Sequence, residues 1–204
     1  MDLRLYLLIA LLPAQAVPGN GWGLVPGVRQ VNNLYYELFN TTEIWVHLIP
    51  EDPAGRPSPL YNLVFKAFFP GRLPHRMGDE RILEAKRPPT QLLLQAQAGR
   101  LTVVRERPTL WFVIDGMTVE LTGSGARYLY PSGVRSRYFY PCFGCAATGV
   151  EVDLAPSILH SLITARSVTG EALGFAMKLT AEDQRALAQF EARIGLAGEK
   201  KRDP

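Results

Sequence analysis

The stretch Leu110-Trp111-Phe112-Val113-Ile114-Asp115-Gly116-Met117-Thr118-Val119-Glu120-Leu121 decides how the rest of the chain is read. Asp-Gly places two residues that tolerate positive φ side by side, as a two-residue type I′ turn requires. The runs on either side are β-prone, so the stretch is predicted to be an antiparallel hairpin.

Working outward, the same period-two logic applies before and after it. In 43–49, Ile44, Val46 and Leu48 fall on one face and Trp45, His47 and Ile49 on the other. In 61–69, Leu63, Phe65, Ala67 and Phe69 fall together, opposite Asn62 and Lys66. Such alternation marks half-buried strands. Further strands are expected over 31–39, 82–86, 92–97, 101–105, 127–130, 137–140 and 150–154. Between 50 and 59 stand four prolines, Pro50, Pro53, Pro57 and Pro59, which read as a surface loop. No helical crossover is visible before about residue 156, and parallel strands need one. The expected fold is therefore mainly β with C-terminal helices: an antiparallel β-sandwich, or a partly open barrel, with two short helices packed on it.

After residue 156 the period changes. Ile158, Leu159, Leu162 and Ile163 form one stripe behind Pro156, which suits a first helical turn. A β segment over 168–179, with a turn at Gly174, leads to Thr180-Ala181-Glu182-Asp183. That resembles a capping box with Asp in the usual Glu or Gln position. The helix it opens puts Asp183, Leu187, Phe190 and Ile194 on one face, and Gly195 is placed to stop it.

The N-terminus reads as a signal for export. Arg4 precedes an unbroken apolar run, Leu5 to Leu12, then Pro13 and the small-x-small triplet Ala14-Gln15-Ala16. The run is far shorter than the roughly 20 residues of a spanning helix, and cleavage after Ala16 would start the mature chain at Val17. The expected organisation is 1–16 signal, 17–30 a Gly/Pro-rich leader, 31–155 the β domain, 156–195 an α/β part packed on it, and 196–204 a tail. The expected localisation is secreted or periplasmic, with no stable membrane insertion after cleavage. A net charge of +3 is too mild to imply nucleic acid.

Four features carry candidate chemistry. Cys142-Phe143-Gly144-Cys145 contains both cysteines, which an exported chain is expected to join as a disulfide. Thiol–disulfide exchange is the alternative use of that spacing, although no helix is expected to begin there to stabilise a thiolate. Arg127, Tyr128, Tyr130, Arg135, Arg137, Tyr138 and Tyr140 interleave arginine with tyrosine, both favoured at interfaces. They are read as a candidate interaction surface, against a plain cross-strand tyrosine ladder. Asn40-Thr41-Thr42 is a glycosylation sequon, meaningful in a eukaryotic host. His47, His75 and His160 do not share ligand spacing, so no metal and no cofactor is expected. The function expected is an exported non-enzymatic binding or structural module with a protein or carbohydrate partner. The thiol–disulfide protein is one alternative, and a secreted hydrolase with carboxylates that converge only in space is the other.

Overall fold

The computed structural model describes residues 28–56, 58, 60–73, 88–98, 107–123, 125–130, 135–136 and 147–196. The strands are β1 Val31–Tyr36, β2 Thr41–Leu48, β3 Leu60–Pro70, β4 Gln91–Ala98, β5 Leu110–Ile114, β6 Met117–Glu120, β7 Arg127–Leu129, β8 Arg135–Ser136, β9 Gly149–Asp153, β10 Val168–Ala172 and β11 Phe175–Lys178. Helix α1 is Pro156–Thr164 and α2 is Ala181–Arg193. The expected strands 82–86, 101–105 and 137–140, the 1–16 segment, residues 17–27 of the leader and residues 197–204 of the tail lie outside the described residues.

Among the described residues every strand pairing is antiparallel. The seven-stranded sheet runs β1-β2-β3-β4-β9-β7-β8, and the four-stranded sheet runs β11-β10-β5-β6. The Asp115-Gly116 turn has φ of 48° and 87°, the left-handed pair that the hairpin needs. Leu173-Gly174, at 58° and 81°, repeats the device between β10 and β11. The C-terminal part is thus no appendage. Its two strands complete the second sheet by pairing β10 with β5, Ile114 opposite Val168 and Leu110 opposite Ala172.

Alternation decides what is buried. Ile44, Val46 and Leu48 from β2, Leu63, Phe65, Ala67 and Phe69 from β3, and Leu92, Leu94 and Ala96 from β4 share one face. They join Leu110, Phe112 and Ile114 of the second sheet and Leu159, Leu162, Leu187, Phe190 and Ile194 of the helices in one core. Each large apolar side chain so removed from water contributes about 1.5–3 kcal/mol. Sandwich and helices therefore share one core.

Helix α2 begins as its sequence requires. The Thr180 hydroxyl accepts from the Asp183 backbone N–H, and the Asp183 carboxylate accepts from the Thr180 N–H, so aspartate closes the capping box in full. The 50–59 loop makes one isolated bridge to the second sheet, Glu51 opposite Lys178. The strand expected over 31–39 is shorter: the chain leaves β1 after Tyr36 through a 3-10 turn, Glu37–Phe39, and Asn40 reverses it at a φ of 45°.

Candidate functional site

Of the arginine–tyrosine segment, Arg127, Tyr128 and Tyr130 have side chains among the described residues. Tyr128 and Tyr130 are 1% and 9% exposed and belong to the core, which corrects their reading as part of an exposed face. The reason is the order of strands. β7 lies inside the sheet, between β9 and β8, so every second residue points at the core, and Tyr128 shares that face with its partner Val150. The Tyr128 hydroxyl accepts a hydrogen bond from Arg107 Nε at 2.8 Å.

Arg127 takes the opposite face and lies 3.0 Å from Glu151 and 3.2 Å from Asp153. Partial burial works against its charge, but hydrogen bonds to Asp153 and Glu151 outweigh that and raise its pKa. The arrangement holds β7 to β9 rather than offering a free cation. Arg135 is described only as backbone in β8, opposite Leu129. Arg137, Tyr138, Tyr140, Cys142, Cys145 and His75 lie outside the described residues. His47 is buried on β2, and His160 Nδ1 lies 3.0 Å from Glu191, joining α1 to α2. Among the described residues no three of His, Cys, Asp and Glu converge as a metal site.

The feature the sequence reading missed is the β1 edge of the larger sheet. β1 pairs with β2 alone among the described strands. Its backbone directions follow from two bonds. The Asn40 carbonyl accepts from the Gly71 N–H on the β3 side, so by alternation Thr41, Glu43 and Trp45 turn toward β1. Their register partners Tyr36, Leu34 and Asn32 therefore bond inward. Val31, Asn33 and Tyr35 turn outward, and the Val31 carbonyl duly accepts from Arg193 of α2 at 3.0 Å. Asn33 and Tyr35 are left with two N–H and two C=O groups on the free side.

Three large apolar side chains stand beside that edge: Leu34 is 40% exposed, Leu38 88% and Phe39 72%. A cleft of about 320 Å³ lies alongside, lined by Asn33, Leu34, Tyr35, Glu37, Thr42, Arg72 and Leu73. The Arg72 guanidinium sits 5.5 Å from the centre of the Tyr35 ring, a cation–π contact that holds the ring. The Tyr35 hydroxyl donates to Asn40 Oδ1 at 2.8 Å, and Thr42 donates to the Gly71 carbonyl. Asn40, the sequon residue, is exposed at the end of the same edge. The site thus combines unpaired main chain, apolar surface and one charge of each sign, from Arg72 and Glu37.

No family model, no curated protein and no solved structure matches the chain. No described helix is long and apolar enough to cross a membrane.

Proposed function

We propose that the chain is an exported, non-enzymatic binding module that takes an extended protein segment along the free β1 edge. One observation carries the reading: Asn33 and Tyr35 present outward main chain while Leu34, Leu38 and Phe39 stand exposed beside it. A strand added to a sheet edge gains affinity from main-chain hydrogen bonds and selectivity from the side-chain pockets beside it. Sheet edges are ordinarily blunted by Lys, Pro or a bulge because they invite such pairing. Val31–Tyr36 contains neither Lys nor Pro. Export is supported by the sequence of residues 1–16, and the edge would then meet its partner outside the cytoplasm.

The test is site-specific photo-crosslinking in the native compartment. A benzophenone side chain at Leu38 should give a discrete adduct, and the Leu34→Lys substitution should remove it. The same probe at Met117, equally apolar and 70% exposed on β6 of the other sheet, should give none. Equal labelling from both positions, or none from Leu38, would overturn the reading.

A further inference from the structure

We infer that the segment taken by the β1 edge belongs to a second copy of this chain, paired β1 to β1 about a two-fold axis beside Leu34. The inference rests on the edge reading above and goes further by naming the partner.

The register follows from which backbone groups are free. A strand pairing with its own copy must run antiparallel for the interface to close on itself. The outward Val31 carbonyl is already held by Arg193, which leaves the groups of Asn33 and Tyr35. Only one register uses all four of them: Asn33 opposite Tyr35 of the second copy, and Tyr35 opposite its Asn33. Both are then directly bonded pairs that exchange N–H and C=O. Centring the axis on Asn33 would set Tyr35 against the occupied Val31 carbonyl. Centring it on Tyr35 would draw in Glu37, whose carbonyl already accepts from Asn40 N–H.

Two consequences of this register concern Leu34 and Glu37. Leu34 falls opposite Leu34 of the second copy in a non-bonded pair, where side chains approach to about 4.5–5.5 Å between Cβ atoms. That would cover its exposed surface. Glu37 comes level with Val31 of the second copy, whose carbonyl carries the Arg193 guanidinium. The two-fold therefore sets Glu37 of each copy beside Arg193 of the other, a charge match formed twice. Leu38 and Phe39, the most exposed apolar pair, follow in the 3-10 turn at the end of this seam. The result would be one continuous sheet of two seven-stranded halves.

The experiment is carried out on the processed full chain. Leu34→Cys should form a disulfide between copies on mild oxidation, read as a 34–34 cross-linked peptide by mass spectrometry. Sedimentation equilibrium should show a concentration-dependent dimer, weakened at least tenfold by Leu34→Lys and by Glu37→Lys. The double variant Glu37→Lys with Arg193→Glu should recover most of that loss. Thermal melts of each variant separate loss of pairing from loss of fold. A strict monomer, or a dimer indifferent to both single variants, overturns the inference. A monomer whose Leu38 probe still captures a different protein overturns the second copy while leaving the edge reading intact. A monomer with no adduct overturns both.

Discussion

Arg29 Nε lies 2.8 Å from the buried Oδ1 of Asp183, across 154 residues of sequence. The other carboxylate oxygen of Asp183 accepts from the N–H and hydroxyl of Thr180. One side chain therefore closes the start of α2 and anchors the strand end that leads into β1. Arg29 adopts a positive φ of 67°, and its N–H donates to the His47 carbonyl, so the chain turns into the sheet at the same residue. The hydrogen bond to Asp183 raises the Arg29 pKa against the opposing effect of burial.

Removing either partner should cost more than a surface pair, because Asp183 is fully buried. Arg29→Met should destabilise by about 2 kcal/mol, below the range for a wholly buried pair because the guanidinium is partly exposed. Asp183→Ala should cost more, since it also removes the cap, worth about 1 kcal/mol. Urea denaturation of the two variants and of the double variant gives the coupling. A negligible change for Arg29→Met would show that the cap alone fixes Asp183.

Phe190 is fully buried and faces the sandwich from α2. Phe190→Ala should lower stability by about 3–5 kcal/mol through the cavity it leaves. The midpoint of urea unfolding should fall with little change in slope. A midpoint within error of the parent would mean that α2 does not pack on the sheets as described.

Gly170 shows why a strand can need a residue without a side chain. A Cβ there would lie 2.3 Å from the Trp111 carbonyl oxygen and 3.1 Å from Phe112 Cα, on the neighbouring strand β5. Backbone cannot yield as a flexible side chain can, so Gly170→Ala should cost about 1–3 kcal/mol. Gly174→Ala meets no such contact but occupies a φ of 81°, so its cost is conformational alone and should be smaller, about 1 kcal/mol. Paired thermal melts rank the two, and the reverse order would contradict the tight approach of β10 to β5.

Asp52 supplies the pH dependence. The Arg56 backbone N–H donates to its carboxylate, with further help from the Arg56 side chain and the Ala54 N–H, and together they hold its pKa below the usual aspartate value against the opposing effect of desolvation. A depressed carboxylate stabilises the folded loop above the unfolded-state pKa, and that contribution disappears as pH falls through the lower folded value. Titration followed by NMR should place the Asp52 midpoint below that of a free aspartate. Exchange protection at Ala54 and Arg56 should be lost on the same acid limb. Asp52→Asn should remove the acid limb, and a midpoint at or above the ordinary value would contradict the loop geometry.

What could be read from sequence was set by neighbouring residues. Asp115-Gly116 fixes its turn because both residues of the turn are adjacent, and Thr180 with Asp183 fixes a helix start within one turn. The alternation of Ile44, Val46 and Leu48 marks their face because strand geometry alone imposes period two. The same rule misled at Tyr128 and Tyr130. Alternation says that they share a face with each other, but which face is the core depends on β9 lying alongside. The edge position of β1 was hidden for the same reason: a strand is an edge only by virtue of the whole sheet order. The Arg29–Asp183 pair left no local trace either, as charges so far apart carry no spacing signal.

The most direct measurement is amide hydrogen exchange along β1, resolved residue by residue, on the dilute chain and again at high concentration. A free edge requires fast exchange at Asn33 and Tyr35 in dilute solution, while Leu34 and Tyr36, bonded to β2, stay protected. Protection should then appear at Asn33 and Tyr35 together as the edge is filled. Equal and strong protection of all four amides at every dilution would mean that the edge is already paired within the chain, and the binding site proposed here would not exist.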